Sequence, residues 1–466
     1  MSPPVRYAVL FKTHFWDDFA ERQFRRLCLR SGNGDVYVVV DETNGVVRGI
    51  DHDNVIRMTD STPEADGYLA HPKGKVFWYN TDYQIYHFFD LYPQYDFVFS
   101  CEYDCVVNFS IGLIINAMVE RRLDFVGEPI RTSPDEWRWT PFARPYYASD
   151  LEFSGRLVCC AAFSQRFARQ LQAARRAHCH RMLRGEILQG DATALPWPNN
   201  EAFVGAEIAQ NSIAEASLSE FGDTSHYNWA PPHPEFALSE LPQLCFAHPV
   251  LDAHRYLHGI KKIGWDISDL FVNDSPLQRA MDVYDPRNVI PMFLQYFVER
   301  QHYGAIDQLR DYACNRCGSA ARKLFNVARG KPATQSSVSP WSRAPTLLQD
   351  ASGAVSGIAT GHYGFHTNLD EQPWWCVDLE AVYPVREIRI FNRLDQPSRS
   401  RKIIVSGSSD MVHWYMILER QEDTDFGGAD GNPLKIEFEK PIDLRFLRVH
   451  LPTVGLLHLD EVELYI

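Results

Sequence analysis

The sequence lacks an apolar run long enough to cross a membrane, and it lacks the short motifs of several enzyme classes. Its longest apolar stretch, residues 111–119, falls well short of the roughly 20 residues that a membrane helix needs. Gly-x-Ser-x-Gly, Walker A and His-Glu-x-x-His motifs are absent, and so is a Gly-x-Gly-x-x-Gly loop after a predicted strand. These absences argue against α/β-hydrolases, P-loop nucleotidases, zinc peptidases and dinucleotide-binding enzymes.

Positive charge is scarce relative to negative charge. The chain carries 46 lysines and arginines against 60 acidic residues, which gives a net charge of −14. This balance argues against a general nucleic-acid or anionic-membrane binder, so we expect no nucleic-acid partner. The first 15 residues have neither the apolar core nor the cleavage site of a signal peptide, which predicts a cytoplasmic protein without a transmembrane segment.

The first part of the chain alternates short apolar runs with helical patterns. A continuous apolar run such as residues 35–41 is typical of a strand buried on both faces of a parallel sheet. Strands are predicted at residues 5–12, 35–41, 95–101, 123–127 and 157–163, and helices at 18–29, 81–91, 111–121, 165–183 and 291–314. The alternation predicts an α/β Rossmann-like domain with a mostly parallel sheet at residues 1–317.

The pattern changes to short alternating strands from residue 326. Turns rich in Gly, Asp, Asn and Ser separate these strands. They are predicted at residues 385–392, 402–406, 434–438, 446–451 and 461–466. We therefore predict an all-β sandwich at residues 326–466, joined to the first domain by a linker at residues 318–325.

Two carboxylates one residue apart, Glu102 and Asp104, follow the buried strand at residues 95–101. A hard divalent cation that carries a diphosphate needs oxygen ligands placed in this way. The spacing therefore predicts a Mn²⁺ or Mg²⁺ site. The alternative is an acidic turn after a strand, without a ligand.

The first domain resembles the GT-A class of glycosyltransferases in outline. The resemblance rests on the strand at residues 7–12, the strand that ends at Asp41, and Glu102-Tyr103-Asp104 at the place of the class's Asp-x-Asp motif. It implies a nucleotide-sugar donor, such as a UDP- or GDP-sugar, and a metal ion at its diphosphate. Asp104 is expected to bind the metal directly, and Glu102 to reach it through water or to contact the ribose.

The same resemblance implies a late histidine ligand and a catalytic base. A short strand ends at His248, which is the candidate for the metal ligand, with His254 and His258 as rivals. An inverting transferase needs a carboxylate that accepts the proton of the acceptor hydroxyl. Glu201 is the candidate base and Asp191 is the second choice. The alternative for Glu201 is a first-turn acid that favours the helix dipole.

Four further residues are expected to bind the donor. Asp41 lies at the carboxyl edge of the predicted sheet, where open α/β folds bind ligands, and it either contacts the nucleobase or ribose or caps a turn. Lys73 or Lys75 is expected to face the diphosphate, and Asp82 the donor sugar.

The last 140 or so residues resemble a discoidin domain, also called a coagulation-factor C-type domain. The segments that carry this resemblance are residues 326–337 (NVARGKPATQSS), 374–379 (WWCVDL) and 459–464 (LDEVEL). The resemblance implies a jelly-roll sandwich whose loops bind glycans, lipids or proteins. The fucose-binding branch of the family implies a sugar site made by one histidine and two basic residues, and the matching positions are His366, Arg393 and either Arg399 or Arg401.

Together these features predict a metal-dependent glycosyltransferase that moves a sugar from a nucleotide-sugar to a glycan or oligosaccharide acceptor. The sandwich is expected to hold a glycan. Two alternatives stay open, namely an inactive glycan-binding protein and a glycoside hydrolase with a binding module. A hydrolase needs two carboxylates set apart across the sugar rather than adjacent in sequence, and it is usually secreted.

Overall fold

The computed structural model describes residues 5–130, 137–187 and 197–466. The chain forms two compact units, Met1–Gly264 and Trp265–Ile466. The linker predicted at residues 318–325 lies inside the second unit, where Gly318–Phe325 form a 3-10 helix. No helix in the described part of the chain is long and apolar enough to span a bilayer.

The first unit contains a central sheet and two small ones. Its described strands are β1 (Tyr7–Thr13), β2 (Asp35–Asp41), β3 (Val55–Met58), β4 (Phe97–Glu102), β5 (Val106–Val107), β6 (Phe125–Pro129), β7 (Arg156–Ser164), β8 (Glu215–Ala216), β9 (Asp223–Tyr227), β10 (His233–Pro234), β11 (Cys245–His248) and β12 (Val250–Leu251). Seven of them form a mixed sheet in the order β3-β2-β1-β4-β7-β6-β8. Only β7 runs antiparallel to its neighbours in this sheet.

Helices cover both faces of the central sheet. The described helices are α1 (Asp18–Cys28), α2 (Ser61–Ala65), α3 (Val76–Tyr79), α4 (Asp82–Leu91), α5 (Ile111–Arg121), α6 (Thr140–Ala143), α7 (Gln165–Leu183), α8 (Asn200–Asn211) and α9 (Ala253–Lys262). Alternate residues of β1 enter two separate cores, because successive strand residues point to opposite faces. Val9 packs with residues of α1 and α5, and Leu10 packs with residues of α4 and α7.

A small three-stranded sheet lies beside the end of β4. Its order is β5-β11-β9, with β11 antiparallel to β5 and parallel to β9. The turn between β4 and β5 contains Tyr103 and Asp104, and β11 ends at His248. Pairing of β5 with β11 therefore brings this turn close to the histidine.

The second unit begins with helices α10 (Pro276–Asp282), α11 (Pro286–Glu299) and α12 (Tyr303–Cys317). The helical stretch predicted at residues 291–314 is confirmed as helical, but it contains parts of two helices rather than one. The chain breaks between α11 and α12, and Gln301 adopts a positive φ of 56° there, which a continuing right-handed helix does not allow. The sequence did not reveal this break, because apolar residues recur with helical periodicity on both sides of it.

A β-sandwich completes the second unit, as predicted. Its strands are β13 (Ala333–Gln335), β14 (Phe365–His366), β15 (Trp374–Phe391), β16 (Ile404–Ser408), β17 (Tyr415–Glu419), β18 (Leu434–His450), β19 (His458–Leu459) and β20 (Glu461–Tyr465), with α13 (Leu347–Ala351) before β14. All pairings among these strands are antiparallel. The predicted strands at residues 434–438 and 446–451 are one strand, β18, whose pairing with β15 shifts register midway.

A buried ion pair joins α4 to α7 and corrects one predicted binding residue. Asp82 is 2% exposed and accepts hydrogen bonds from Arg175 Nε at 2.7 Å and Nη2 at 3.2 Å. The Tyr86 hydroxyl donates to the same carboxylate, and Arg175 Nη1 donates to the Pro198 carbonyl. Asp82 therefore does not face a donor sugar, because its charge is used to compensate a buried guanidinium.

Arg175→Ala is expected to lower the free energy of unfolding by about 3–5 kcal/mol, because it leaves the Asp82 carboxylate buried and unpaired. Arg25→Ala is the matched control, since Arg25 forms an exposed ion pair with Glu21 on α1. That change is expected to cost about 0.5 kcal/mol or less. Denaturant-induced unfolding measures both, and equal effects of the two substitutions would contradict the assignment.

Candidate functional site

A cavity of about 420 Å³ opens at the carboxyl ends of the parallel strands. The final residues of β1, β2 and β4 reach it with Lys12, Asp41 and Glu102. Because β7 runs in the opposite direction, its first half lies at this edge and brings Cys159 to the cavity. Helix α8 begins at the same edge and contributes Glu201.

A buried lysine lies beside the first of the two predicted metal-binding carboxylates. Lys12 is opposite Glu102 in the pairing of β1 with β4, and its Nζ is 3.4 Å from Glu102 Oε1. Because Lys12 is 4% exposed, nearby acids rather than water have to compensate its positive charge. Lys12 was not among the predicted site residues, although a lysine inside the apolar strand β1 indicates a buried cation.

The second carboxylate lies next to the predicted histidine. Asp104 Oδ1 is 3.7 Å from His248 Nε2. The other ring nitrogen, Nδ1, donates a hydrogen bond to the backbone carbonyl of Asn228 at 2.7 Å, and this contact holds Nε2 on the side of Asp104. Asp104 Oδ1 is buried and has no hydrogen-bond partner among the described residues.

These groups fit a divalent cation. Ligand atoms of Glu102, Cys159 and His248 lie within 4.8 Å of one another, and Asp104 adjoins the same imidazole. Burial raises the pKa of Asp104 to about 6, while His248 opposes this shift and Glu102 adds to it. A cation would stabilise the ionised carboxylate. The group within 4.8 Å contains Glu102 and not Asp104, although Asp104 was predicted to be the direct ligand and Glu102 to act through water or at the ribose.

The predicted base, Glu201, lines the cavity at the start of α8. It is 8% exposed, and Trp229 Nε1 donates a hydrogen bond to its Oε1 at 3.4 Å. Asn199 caps the helix by accepting the Glu201 backbone N–H at 3.0 Å. Burial raises the pKa of Glu201 to about 8, with the Trp229 hydrogen bond opposing the shift and the charge of Glu102 adding to it. A carboxyl with this pKa exchanges protons near neutral pH.

Other predicted donor-binding residues lie at different places. Asp41 lines the cavity, and its Oδ1 also accepts the Thr43 backbone N–H at 2.9 Å, so it caps a turn as well. Lys73 and Lys75 are exposed and are not among the residues that line the cavity, and their contact with a diphosphate stays a prediction. Asp191 lies outside the described residues.

A second cavity of about 840 Å³ shares Tyr103, Asp104 and Trp229 with the first. His254 and His258, the rivals of His248, line this second cavity. Neither belongs to the group of ligand atoms found around His248 in the described residues. The structure therefore favours His248 among the three histidines.

A cation and an indole ring from an aromatic-rich segment, which either stacks on an acceptor sugar or packs in the core, also lie at the cavity. Arg138 and Trp139 both line the cavity, and the guanidinium lies 4.3 Å from the indole centroid. Such a stacked pair presents a flat cationic surface. The motif Trp137-Arg138-Trp139 carries the signal, but nothing in its spacing says which of the three residues is exposed to a ligand.

The predicted sugar-binding residues of the sandwich come together in part. His366 packs against Trp341 and Tyr363, with ring centroids 5.6 Å and 5.4 Å away. The Arg393 guanidinium lies 4.7 Å from the Tyr363 centroid and forms an ion pair with Asp395. His366, Arg393 and these two aromatic rings therefore form one cluster at the loops of the sandwich.

The structure separates the two candidates for the second basic residue. Arg401 Nε is 2.6 Å from Asp425 Oδ1, so its guanidinium is already paired. Arg399 is exposed, and its side chain has no hydrogen-bond partner in the described part of the chain. The positive charge of Arg399 helps to lower the pKa of His366, after burial and the charge of Arg393. Of the two candidates, Arg399 is therefore the one whose guanidinium is not paired within the described residues.

Comparison with protein-family models gives a match over residues 332–460 to the F5/8 type C domain. The C-terminal sandwich is an F5/8 type C domain. Among solved structures, this domain is similar to the lectin domain of lectinolysin complexed with Lewis B antigen, with 30% identity over 30% of this chain and 95% of that one and a TM-score of 0.24. A fucose-binding module of Streptococcus pneumoniae has 29% identity over 30% of this chain and 94% of that one, with a TM-score of 0.25.

A fucolectin from striped bass serum (Morone saxatilis) has 27% identity to the F5/8 type C region, over 30% of this chain and 48% of that one, with a TM-score of 0.26. A search of the curated proteins found no match. The family match covers the F5/8 type C domain alone. The chemistry of the first unit depends on the residues of its cavity rather than on this match.

Glu201 makes stability depend on pH. Its folded pKa of about 8 lies above its ordinary value of 4.5, so the folded state binds the proton more tightly and stability falls as pH rises between those values. Glu201 alone should lower the free energy of unfolding by about 2–4 kcal/mol across this window, and Glu201→Gln should remove this part of the total drop, to which other buried acids such as Asp104 also contribute. Denaturant unfolding at pH 5 and pH 8.5 measures this. Glu64→Gln, an exposed acid on α2, is the control and should leave the drop unchanged.

Proposed function

We propose that this protein is a metal-dependent glycosyltransferase that moves a sugar from a nucleotide-sugar donor, such as a UDP- or GDP-sugar, to a glycan acceptor. We propose further that its F5/8 type C domain binds glycan. One observation carries the first proposal. Glu102, Asp104 and His248 converge with the buried acid Glu201 in one cavity at the carboxyl edge of the sheet.

The arrangement supports binding of a diphosphate through a metal ion. Mn²⁺ or Mg²⁺ is the ion that the resemblance to GT-A transferases implies, and a bound divalent cation would neutralise the charge that develops on the diphosphate leaving group. Glu102, Asp104 and His248 would hold it. Lys12 would keep Glu102 oriented through their ion pair. Asp41, at the end of β2, would accept hydrogen bonds from the ribose or nucleobase.

Transfer breaks the bond from the sugar C1 to the diphosphate oxygen and forms a bond from C1 to the acceptor oxygen. The acceptor hydroxyl gives its proton to the carboxylate of Glu201, and the nucleoside diphosphate leaves. This role corresponds to inversion at C1. Trp229 orients Glu201 by its indole N–H. The second cavity, which meets the first at Asp104 and Trp229, offers space for the acceptor.

The F5/8 type C domain supports glycan binding through its loop cluster. His366, Arg393 and Arg399 donate hydrogen bonds suited to sugar hydroxyls, and Trp341, which is 58% exposed, offers an aromatic face to C–H groups. The similar lectinolysin and pneumococcal modules bind Lewis B antigen and fucose respectively. A fucose-containing glycan is therefore the first ligand to test.

Asp104→Asn is expected to abolish the thermal stabilisation that UDP or GDP gives in the presence of Mn²⁺ or Mg²⁺, because the amide cannot supply an anionic ligand. Asp53→Asn, an exposed acid of the same unit, should behave like the unchanged protein. A thermal-shift screen of nucleotides with and without each metal measures this. If no nucleotide stabilises the unchanged protein in a metal-dependent way, the transferase proposal fails.

Arg393→Ala and Arg399→Ala should each weaken binding of the full chain to fucosylated glycans by about tenfold or more, a loss of at least about 1.4 kcal/mol. Arg401→Ala should change binding less than about twofold, because its guanidinium is paired with Asp425 outside the cluster. Biolayer interferometry on immobilised glycans compares the three. Equal losses for Arg399→Ala and Arg401→Ala would contradict the assigned cluster.

A further inference from the structure

We propose that Cys159 is a ligand of the metal in the first unit, and that its thiolate makes the site select a borderline ion such as Zn²⁺ or Co²⁺ over Mg²⁺. The inference deepens the proposed function and rests on it for the use of the metal in catalysis. The ligand set itself stands on the geometry of the cavity.

Strand register places the thiol at the site. Cys101 of β4 pairs with Cys160 of β7, and the two strands are antiparallel. The next residue along β4 is Glu102, and the preceding residue along β7 is Cys159, so these two come opposite each other. The Cys159 sulfur lies within 4.8 Å of the ligand atoms of both Glu102 and His248.

The Cys159 thiol lies where the apolar core meets the cavity. Cys159 is 7% exposed, belongs to the same core cluster as Cys101 and lines the cavity, and its thiol forms no hydrogen bond with the described residues. Cys101 provides a contrast within the same sheet. Its sulfur approaches the backbone carbonyls of Glu102 at 3.6 Å and Cys105 at 3.8 Å, as expected for a core thiol. Cys159 instead faces two groups that both ligate metals.

The imidazole gives an independent sign of a ligand at the same point. His248 is 7% exposed, and its Nδ1–H is fixed by the Asn228 carbonyl. Its Nε2 lies 3.7 Å from Asp104 Oδ1 and receives no hydrogen bond from the described residues, and a nitrogen of the same ring lies within 4.8 Å of ligand atoms of Glu102 and Cys159. A second-sphere hydrogen bond from one ring nitrogen to a carbonyl is the usual arrangement of a metal-bound histidine.

The donor set decides which ion fits. One thiolate, one imidazole and carboxylates suit Zn²⁺ or Co²⁺, whereas Mg²⁺ prefers oxygen ligands alone. Tetrahedral ligands at ordinary zinc distances lie about 3.6 Å apart, so modest side-chain rotations close the set. Binding requires the thiol to lose its proton, which passes to solvent as the metal–sulfur bond forms.

Cobalt provides a direct test of the sulfur ligand. The full chain carrying Cys314→Ser and Cys317→Ser, which removes a CxxC outside the cavity, is freed of metal and titrated with Co²⁺ alone. We expect a thiolate-to-cobalt charge-transfer band in the near ultraviolet. Cys159→Ser added to this background should remove the band and weaken Co²⁺ and Zn²⁺ binding by at least about tenfold, with Mg²⁺ affinity changed less than about twofold.

Cys160→Ser is the neighbouring control and should retain the band, since Cys160 does not line the cavity. If the protein that keeps Cys159 shows no charge-transfer band on binding Co²⁺, or if the band survives Cys159→Ser, the inference is overturned. The first of these results needs no variant, so misfolding of Cys159→Ser does not protect the proposal. If the band appears but no nucleotide stabilises the metal-loaded protein, Cys159 is still a ligand and only the transferase proposal fails.

Discussion

Two backbone hydrogen bonds between distant parts of the chain hold the polar groups of the cavity together. The Val250 N–H donates to the Asp104 carbonyl at 2.7 Å, and the Tyr103 N–H donates to the Lys12 carbonyl at 3.0 Å. They attach the turn after β4 to the end of β1 on one side and to the segment after β11 on the other. The carboxylates and the imidazole are thereby gathered by the backbone, so a ligand that binds between them loses less entropy in ordering them.

The close approach of these charged groups has an electrostatic consequence. Glu102, Asp104 and Glu201 share one partly desolvated space, in which Lys12 is a buried cation. The raised pKa values of Asp104 and Glu201 show that folding opposes ionisation of both carboxyl groups there. The close approach of these carboxyl groups therefore destabilises the folded protein and, for the same reason, favours the binding of a cation. Concentrated, unfavourable charge of this kind is typical of functional sites rather than of cores built for stability.

The local pattern of apolar residues was enough to predict the strands and helices in which that pattern is regular. The strand Asp35–Asp41 and the helices Ile111–Arg121 and Gln165–Leu183 have the predicted bounds, because an unbroken apolar run and a sustained helical repeat each have one good solution. Strand direction has no such local signal. The reversal of β7 depends on how it pairs with β4 and β6, and it is this reversal that brings Cys159 to the cavity.

The candidate site shows the same limit. Glu102, Asp104, Glu201 and His248 were predicted because acids and histidines at strand or helix ends are visible in the sequence, and the structure brings them together. Asp82 has the same kind of signal, an acid at the start of a helix. Its partner Arg175 lies 93 residues away, and only tertiary packing reveals that the two neutralise each other.

The two units also differ in how much affinity their ligands require. In the F5/8 type C domain, Arg393 shares its guanidinium between Asp395 and the proposed sugar, and Arg399 is exposed to solvent. A few hydrogen bonds of this kind and an aromatic face give modest affinity. Modest affinity is sufficient if the module serves a transferase on the same chain, because covalent tethering makes the second binding step intramolecular. The metal site has no such help, since its ion comes from solution and must be held by the ligands of the cavity alone. The proposed metal site around His248 therefore needs several convergent ligands, whereas the proposed glycan site around His366 can function with fewer contacts.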